Sequence, residues 1–333
     1  MSALPKQLRK VSDAILLKQI EAGLAKVEQA LEAAVSHTDP IANVTARHLS
    51  AAGGKRVRPT LVLLTAQFGP NPMAENVIEA SVVVELTHLA TLYHDDVMDN
   101  APMRRGVPSA HTIWGNSVAI LTGDLLFARA SQVVSRIGER ALSLQADTFE
   151  RLCLGQLHET VGPSETEDRV AHYIQVLADK TGSLIAAAAE MGIMFSGAPE
   201  EYRVAVREYG ERIGVAFQLI DDVIDLQSDS ETSGKTPGTD LLAGVPTLPT
   251  LYLAQLAQHD SDSAALAARV ASVTEASLAG VVADLARHEA TTMAYEEAKR
   301  WAVEAVAALE PLPNNSAKQA MIAFAEAVVD RQN

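Results

Sequence analysis

The amino-acid sequence predicts an all-α fold, in the form of a single-domain helical bundle. Apolar residues recur at three- and four-residue spacings over long segments, namely 15–35, 77–92, 118–137, 205–226 and 264–286. Alanine is abundant, which favours helix, and no segment alternates convincingly as a half-buried strand would. Because no linker-like tract divides the 333 residues, one domain over 1–333 is expected.

Clusters of glycine and proline mark where the predicted helices end. In order along the chain, they stand at 53–54, 69–72, 106–108, 162–163, 197–199, 234–249 and 311–315. The segment 234–249 holds three prolines and three glycines, so an irregular loop is expected there. Loops of that length within a compact fold are often functional.

The composition excludes several classes of partner. The net charge is −15, with 27 Lys and Arg against 42 Asp and Glu, which argues against nucleic acid and anionic membrane surfaces. A single cysteine, Cys153, allows no intrachain disulfide and is expected to be buried. Neither a signal peptide nor an apolar run of roughly 18 residues is apparent. A cytoplasmic protein without a transmembrane segment is therefore expected.

Two similar acidic motifs are the main chemical signal. The residues 95–99 and 221–225 both have the form Asp-Asp-x-x-Asp, and each closes a long apolar helix. First and last aspartates at i and i+4 share a helix face, where carboxylates about 4 Å apart repel by roughly 4 kcal/mol at an effective dielectric of about 20. Magnesium bound through carboxylates and substrate phosphates would remove that cost. Either motif alone could be a solvated helix end, but two copies favour a site for a diphosphate with a hydrocarbon tail.

Basic residues are the scarcer sign in this chain, so their clusters are informative. The segment 53–59, Gly-Gly-Lys-Arg-Val-Arg-Pro, combines cations with glycines and with Pro59, which we expect to begin the next helix. Arg104 and Arg105 follow the first acidic motif and suit bidentate phosphate contacts. His88 lies two helical turns before Asp95. Two roles are open for it, which are phosphate binding and packing. Weaker candidates are Lys180, Thr181, Gln218 and Lys235.

In these residues the sequence resembles the trans-isoprenyl diphosphate synthases, the polyprenyl synthetase family. The resemblance runs from about residue 51 to the C-terminal region. Its pieces, in matching order and spacing, are Gly53–Pro59, Asp95–Asp99 with Arg104–Gly106, Gly123-Asp124, Gly155-Gln156, Lys180-Thr181, Gln218 with Asp221–Asp225, and Gly234-Lys235.

The resemblance implies an all-α fold around a deep central cavity, usually as a homodimer. It implies that isopentenyl diphosphate binds to Lys55, Arg58, His88 and Arg105. It further implies that three magnesium ions are held on an allylic prenyl diphosphate by Asp95, Asp99 and Asp221. Contacts to that diphosphate are implied for Arg104, Lys180, Thr181, Gln218 and Lys235. The catalytic candidates are Asp95, Asp96, Asp99, Arg104, Lys180, Asp221, Asp222 and Lys235.

One departure from the family concerns the segment 244–249. Many members have Gly-Lys-x-Thr-Leu-Pro there, whereas this chain has Val245 in place of the lysine. A phosphate contact from that lysine is therefore missing. The rest of the implied site does not depend on it.

The expected activity is a prenyltransferase that lengthens an allylic diphosphate with isopentenyl diphosphate. We expect a product longer than C20, because Ala90 and Thr91, one turn before Asp95, are small, with Leu86 and Thr87 a turn deeper. The alternatives are a short-chain geranylgeranyl or farnesyl diphosphate synthase, a class I terpene cyclase, and a non-catalytic partner subunit. A complete second motif and the basic segment 53–59 disfavour the last two.

Overall fold

The chain is helical through most of the part that the structure describes. The computed structural model describes residues 14–227 and 237–330, so the all-α prediction is confirmed. Its helices are α1 (Ala14–Val35), α2 (Pro40–Ala51), α3 (Val57–Thr65), α4 (Glu75–Met98), α5 (Ala110–Trp114), α6 (Asn116–Ile137), α7 (Glu139–Val161), α8 (Arg169–Leu177), α9 (Ser183–Ser196), α10 (Tyr202–Gln227), α11 (Thr239–Ala243), α12 (Leu248–Leu256), α13 (Ser261–Ala271), α14 (Glu275–Arg287), α15 (Glu289–Ala308) and α16 (Ser316–Val329). A 3₁₀ turn (Ala66–Phe68) follows α3, and a π-helical turn (Ala178–Gly182) joins α8 to α9.

The described residues fall into two compact units. The first comprises the described chain up to Arg151, Leu184–Gly210 and Ala308–Phe324. The second comprises Leu152–Ser183, the described part of Glu211–Ala307, and the chain from Ala325. Each unit is assembled from distant segments of the sequence, and the expectation of one domain over 1–333 stays a prediction.

Helix α4 is the central element of the first unit. It packs against α6, α3 and α1. Its buried residues lie on every side of the helix, from Val77 to Asp96, as expected for a helix that neighbours surround. The helix ends at Met98, so the first acidic motif is carried at its C-terminal end.

The second unit has its own apolar core. Leu226 of α10 packs there with residues of α11 to α14, including Leu253, Leu266 and Leu285. The expected single helix over 264–286 is wrong, because α13 ends at Ala271 and α14 starts after Thr274. Thr274 and Ser277 form a capping box that satisfies the backbone N–H groups of a new helix start.

Part of the predicted loop 234–249 is also helical. Residues 234–236 lie outside the described residues, but Thr239–Ala243 forms the short helix α11 between Gly238 and Gly244, both left-handed. Leu248 then begins α12, with Thr247 capping it. The irregular loop is therefore shorter than predicted.

A two-stranded ribbon interrupts the helices after the first acidic motif. Met103–Arg104 (β1) pairs antiparallel with Val107–Pro108 (β2), which corrects the expectation of no strand. The two connecting residues, Arg105 and Gly106, both have positive φ, at 52° and 78°. Two such residues match the right-handed twist of a tight hairpin. The sequence signal is weak because each strand has only two residues.

The exposure of Cys153 and the composition of helix α6 bear on two expectations. Cys153 is exposed, so the prediction that it is buried is wrong. Helix α6 is long and apolar enough to cross a membrane by length and composition alone. Core helices of folded proteins pass the same test, and the expectation of no transmembrane segment stays a prediction.

Two helical glycines provide a matched test of the packing. A Cβ at Gly192 in α9 would lie 2.0 Å from Thr65 Oγ1 and 2.3 Å from the Val62 carbonyl oxygen, whereas at exposed Gly280 in α14 the nearest atom is 3.9 Å away. We expect Gly192→Ala to lower the free energy of unfolding by about 2–3 kcal/mol through overpacking. Gly280→Ala should raise it by about 0.5–1 kcal/mol through helix propensity. Urea denaturation measures both, and equal effects would contradict the packing of α9 on α3.

Candidate active site

The first acidic motif presents its three aspartates differently. Asp95 is half-buried, Asp96 is buried, and Asp99 is the exposed residue that follows the last turn of α4. The Asp99 N–H donates to the Asp95 carbonyl oxygen at 2.8 Å, which continues the helical spacing. Asp95 and Asp99 therefore stand one turn apart at the helix end, as the motif predicts.

Asp96 is held by the ribbon that follows the motif. Arg104 Nε donates to Asp96 Oδ1 at 2.6 Å, and the Asp96 side chain is only 1% exposed. The other carboxylate oxygen, Oδ2, is buried and has no hydrogen-bond partner among the described residues. A buried polar oxygen without a hydrogen-bond partner is costly.

The basic segment 53–59 is shaped by two arginines in the left-handed region. Arg56 has φ 47° and stands at the N-cap of α3, which begins at Val57. The expectation that Pro59 is the first helical residue is therefore wrong by two positions. A Cβ on Gly54 would lie 3.0 Å from the Arg105 guanidinium carbon. The glycine there accommodates a neighbouring side chain, so it cannot be credited to a ligand alone.

Arg105 ties the ribbon to this segment. Its Nη1 donates to the Leu49 carbonyl oxygen at 3.2 Å and also to the Gly53 carbonyl oxygen. Its Nη2 lies 3.7 Å from Glu85 Oε1. The ribbon and the basic segment, far apart in sequence, are thus brought together within the first unit.

Glu85 is a site residue that the sequence reasoning missed. It lies on α4 beneath the basic segment, and it is 2% exposed. Arg56 Nη1 donates to its Oε1 at 2.7 Å, and Arg56 Nε donates to Glu28 Oε1 of α1 at 2.6 Å. A signal was available, because Glu85 is the sole acidic residue from Ala80 to Tyr93, and glutamate is almost never fully buried unless it is paired.

The cations around Glu85 are desolvated. Burial lowers the pKa of Arg58 to about 10, against the attraction of Glu85 and with the repulsion of Arg105. The Arg58 Nε is buried and has no hydrogen-bond partner among the described residues. Arg58 nevertheless stays charged at neutral pH. Lys55, in contrast, is exposed.

His88 lies on α4 beside these arginines. The pKa of His88 is held well below its usual range. Burial is the largest cause, and the positive charges of Arg58, Arg105 and Arg104 lower it further. The ring is therefore neutral at physiological pH. It can offer a hydrogen bond to a ligand but no charge.

The second acidic motif repeats the arrangement of the first within the other unit. On α10, Asp221 is exposed and Asp222 is 8% exposed. Asp222 Oδ2 accepts hydrogen bonds from Tyr173 Oη at 2.7 Å and from the Leu248 N–H at 3.1 Å. Burial raises the pKa of Asp222 to about 7, against those two hydrogen bonds. Asp225 accepts from Thr239 Oγ1 at 3.2 Å.

In both motifs, then, the middle aspartate is hydrogen-bonded to residues of its own unit. Arg104 holds Asp96, whereas Tyr173 and Leu248 hold Asp222. These partners position the motifs and do not depend on a ligand. A catalytic role for Asp96 and Asp222 stays a prediction.

The remaining cationic candidate of the second unit is Lys180. It lies in the π-helical turn and pairs with Glu159 of α7. A Cβ on Gly155 would lie 2.9 Å from Lys180 Cγ, so a close approach accounts for the Gly155 of the family pattern. Thr181 and Gln218 are half-buried. Lys235 lies outside the described residues.

The chain-length candidates are buried or half-buried residues of α4. Leu86 and Ala90 are fully buried, Thr87 is 1% exposed, and Thr91 is half-buried. The two threonine hydroxyls donate to carbonyl oxygens of their own helix, at 2.9 and 2.8 Å. These residues are therefore interior positions of the helix that carries the first acidic motif.

Comparison with known proteins gives consistent matches. The family model described as polyprenyl synthetase matches residues 39–284. A nonaprenyl diphosphate synthase of Mycobacterium tuberculosis is 50% identical over 73% of this chain and 72% of its own, and an octaprenyl diphosphate synthase of Haemophilus influenzae is 33% identical over 94% and 95%. The crystal structure of a geranylgeranyl pyrophosphate synthase from Corynebacterium glutamicum, complexed with calcium and isoprenyl diphosphate, superposes with a TM-score of 0.84 at 39% identity, over 96% and 98% of the two chains.

The contact between Tyr173 and Asp222 leads to a pH-dependent prediction. With its pKa raised to about 7, Asp222 is ionised at pH 8 and protonated at pH 5.5. The hydrogen bond from Tyr173 is strongest to the ionised form, so Tyr173→Phe should cost about 1.5–3 kcal/mol of unfolding free energy at pH 8 and less at pH 5.5. Urea denaturation with EDTA present measures this, with Tyr295→Phe as the control. A loss that grows as the pH falls would contradict the assignment.

Proposed function

Because this chain belongs to the polyprenyl synthetase family, we propose that it is an all-trans polyprenyl diphosphate synthase. It is a prenyltransferase that condenses isopentenyl diphosphate with an allylic prenyl diphosphate. The observation that carries the proposal is local to the first unit. There, Arg104 joins the first acidic motif to the cluster of Arg58, Arg105 and neutral His88.

In the first unit, cations outnumber carboxylates at the basic segment. Arg56, Arg58 and Arg105 face the two carboxylates Glu28 and Glu85. The excess positive charge and the unpartnered Arg58 Nε suit a diphosphate that carries no metal. We assign isopentenyl diphosphate to this set, with Lys55 and His88 as further contacts.

The acidic motifs suit a divalent metal. Asp95 and Asp99 stand one turn apart at the end of α4, and their hard carboxylate oxygens fit Mg²⁺. Asp95, Asp99 and Asp221 would hold three ions on the allylic diphosphate. When bound, the metal supplies charge neutralisation for the departing diphosphate. The calcium in the Corynebacterium relative supports a divalent cation in general.

The chain's own residues would bind, orient and shield the reactants. The allylic carbon–oxygen bond breaks, and its electron pair leaves with the pyrophosphate, which Arg104, Lys180 and Lys235 would stabilise. The double bond of isopentenyl diphosphate forms the new carbon–carbon bond, and a proton is then lost to the released pyrophosphate. Accordingly, no side chain need act as a nucleophile or general base.

The long-chain product is supported by the relatives. The nonaprenyl and octaprenyl synthases make long products by their names, and small residues occupy positions 90 and 91. The geranylgeranyl relative is a shorter-chain synthase by name. Mass spectrometry of products from labelled isopentenyl diphosphate with C5, C10, C15 and C20 primers tests the length directly. The purified chain should make these products without a second protein. That result would exclude a role as a non-catalytic partner subunit.

Homodimerisation and a cytoplasmic location are further parts of the proposal. Ile120 and Leu121 of α6 are 41% and 66% exposed, and a self-association surface would bury them. The net charge of −15 suits a protein that does not bind anionic membranes. Light scattering of the purified chain tests the dimer.

The metal assignment predicts a large loss of turnover. Asp95→Ala and Asp221→Ala should each lower kcat by about 10³-fold or more, since metal electrostatics contribute several kcal/mol at the transition state. Asp147→Ala, at an exposed position of α7, is the control. Pyrophosphate release at saturating Mg²⁺ is the measurement. Near-normal rates in either acidic-motif variant would contradict the assignment of Asp95 and Asp221 as metal ligands.

The proposal that small residues on α4 leave the path of the growing tail open predicts a change of product length. Ala90 is fully buried on α4, so Ala90→Phe should plug the path of the growing tail and shorten the product to about C15–C20, a length estimated from one helical turn of about 5.4 Å. Ala265→Phe, at an exposed position of α13, is the control. The product is identified by mass spectrometry. An unchanged distribution for Ala90→Phe would show that the tail does not pass this position.

A further inference from the structure

We propose that Glu85 is a positioning residue that holds the isopentenyl diphosphate subsite in its binding geometry. The inference rests on the proposed function of that subsite. Glu85 does not itself contact the ligand, because a carboxylate would repel a diphosphate. It acts through Arg56, which lies within the basic segment, and through Arg105, which contacts that segment.

The first support is the geometry of the contacts. Glu85 Oε1 lies 2.7 Å from Arg56 Nη1 and 3.7 Å from Arg105 Nη2, so one oxygen serves both guanidinium groups. The side chains of Glu85 and Arg56 are only 2% and 3% exposed. A buried ion pair of this kind is strongly destabilised when one partner is removed, because the other charge remains buried.

The second support is the backbone that these two arginines occupy. Arg56 and Arg105 have φ angles of 47° and 52°, and Arg56 is the N-cap from which α3 starts. A left-handed conformation at a non-glycine residue costs free energy and persists only when its surroundings hold it. Glu85 supplies a shared anchor for both. Arg105 in turn donates to the Leu49 and Gly53 carbonyl oxygens, which fixes the start of the segment.

The third support is the balance of charge. Arg56 is also paired with Glu28, whose side chain is 41% exposed, by Nε to Oε1 at 2.6 Å. Arg58 is left without a direct carboxylate partner among the contacts of the described residues, and its Nε is orphaned. The buried carboxylate of Glu85 therefore pairs with Arg56 and orients Arg105, while Arg58 remains able to bind a ligand anion.

The isosteric variant Glu85→Gln tests the role of the charge. It keeps the shape but removes the anion, and loss of a buried hydrogen-bonded charge partner is costly. We expect the KM for isopentenyl diphosphate to rise by about tenfold or more, with the KM for the allylic diphosphate changed by less than about twofold; tenfold corresponds to about 1.4 kcal/mol. Glu79→Gln is the matched control. Glu79 lies on the same helix and pairs with the exposed Arg136 at 3.4 Å.

A double-mutant cycle separates positioning from general destabilisation. If Glu85 acts through Arg56, then Arg56→Gln should raise the same KM, and the double variant should do so by less than the product of the two single effects. If Glu85→Gln does not fold, Arg56→Lys is measured instead, because it keeps the positive charge but loses the forked guanidinium group. Thermal melts of all variants are recorded beside the kinetics.

The outcomes are distinguishable. A KM for isopentenyl diphosphate that is unchanged or lower in folded Glu85→Gln overturns the proposal, because then the carboxylate only weakens the field of the cations. Equal rises in both KM values, or independent effects in the cycle, also overturn it. If the wild-type chain releases no pyrophosphate from the two substrates, the proposed function has failed; if it does and the selective rise is absent, only the role of Glu85 has.

Discussion

Charge that must be kept inside an apolar helix bundle is the constraint on which the first unit depends. Helix α4 is surrounded by packed neighbours, yet it carries Glu85, His88, Asp95 and Asp96. Burial of an ionised group without a partner is costly, and the two buried carboxylates among them, Glu85 and Asp96, each have a partner from another element. Arg56 comes from the start of α3, and Arg104 comes from the ribbon. The site is thus assembled by the need to compensate the charges on α4.

Close approach of neighbouring side chains explains several glycines of the family pattern better than ligand binding does. At Gly123 in α6 a Cβ would lie 2.3 Å from His94 Nε2, one residue before the first acidic motif. At Gly155 the neighbour is Lys180, and at Gly54 it is Arg105. In each case the absent side chain makes room for a site residue or its immediate neighbour. Such glycines set where these side chains stand, and no contact with a substrate is needed to explain them.

The sequence predicted the helical class, both acidic motifs and their one-turn spacing. These follow from periodicity and from residue type, which are local properties. It did not predict Glu85 or Tyr173 as site residues, because their partners Arg56 and Asp222 lie 29 and 49 positions away in the chain. The helix break after Ala271 was missed since alanine-rich periodicity continues across it, and the capping residue Thr274 decides the boundary. Cys153 was misplaced because burial depends on which face of α7 is covered, a tertiary property.

The two acidic motifs show how one short sequence can combine binding with support. Asp95 and Asp221 are the accessible members, whereas Asp96 and Asp222 are buried and bonded within their own units. Adjacent residues on a helix point about 100° apart, so a pair of aspartates necessarily addresses two different surroundings. The first can reach a metal and the second can anchor the helix end. The supports differ, since Asp96 has a charged partner in Arg104 and Asp222 has a neutral hydroxyl and an amide. Hence burial raises the pKa of Asp222 to about 7, opposed only by the neutral donors Tyr173 and Leu248, and the anchoring of the second motif depends on proton concentration.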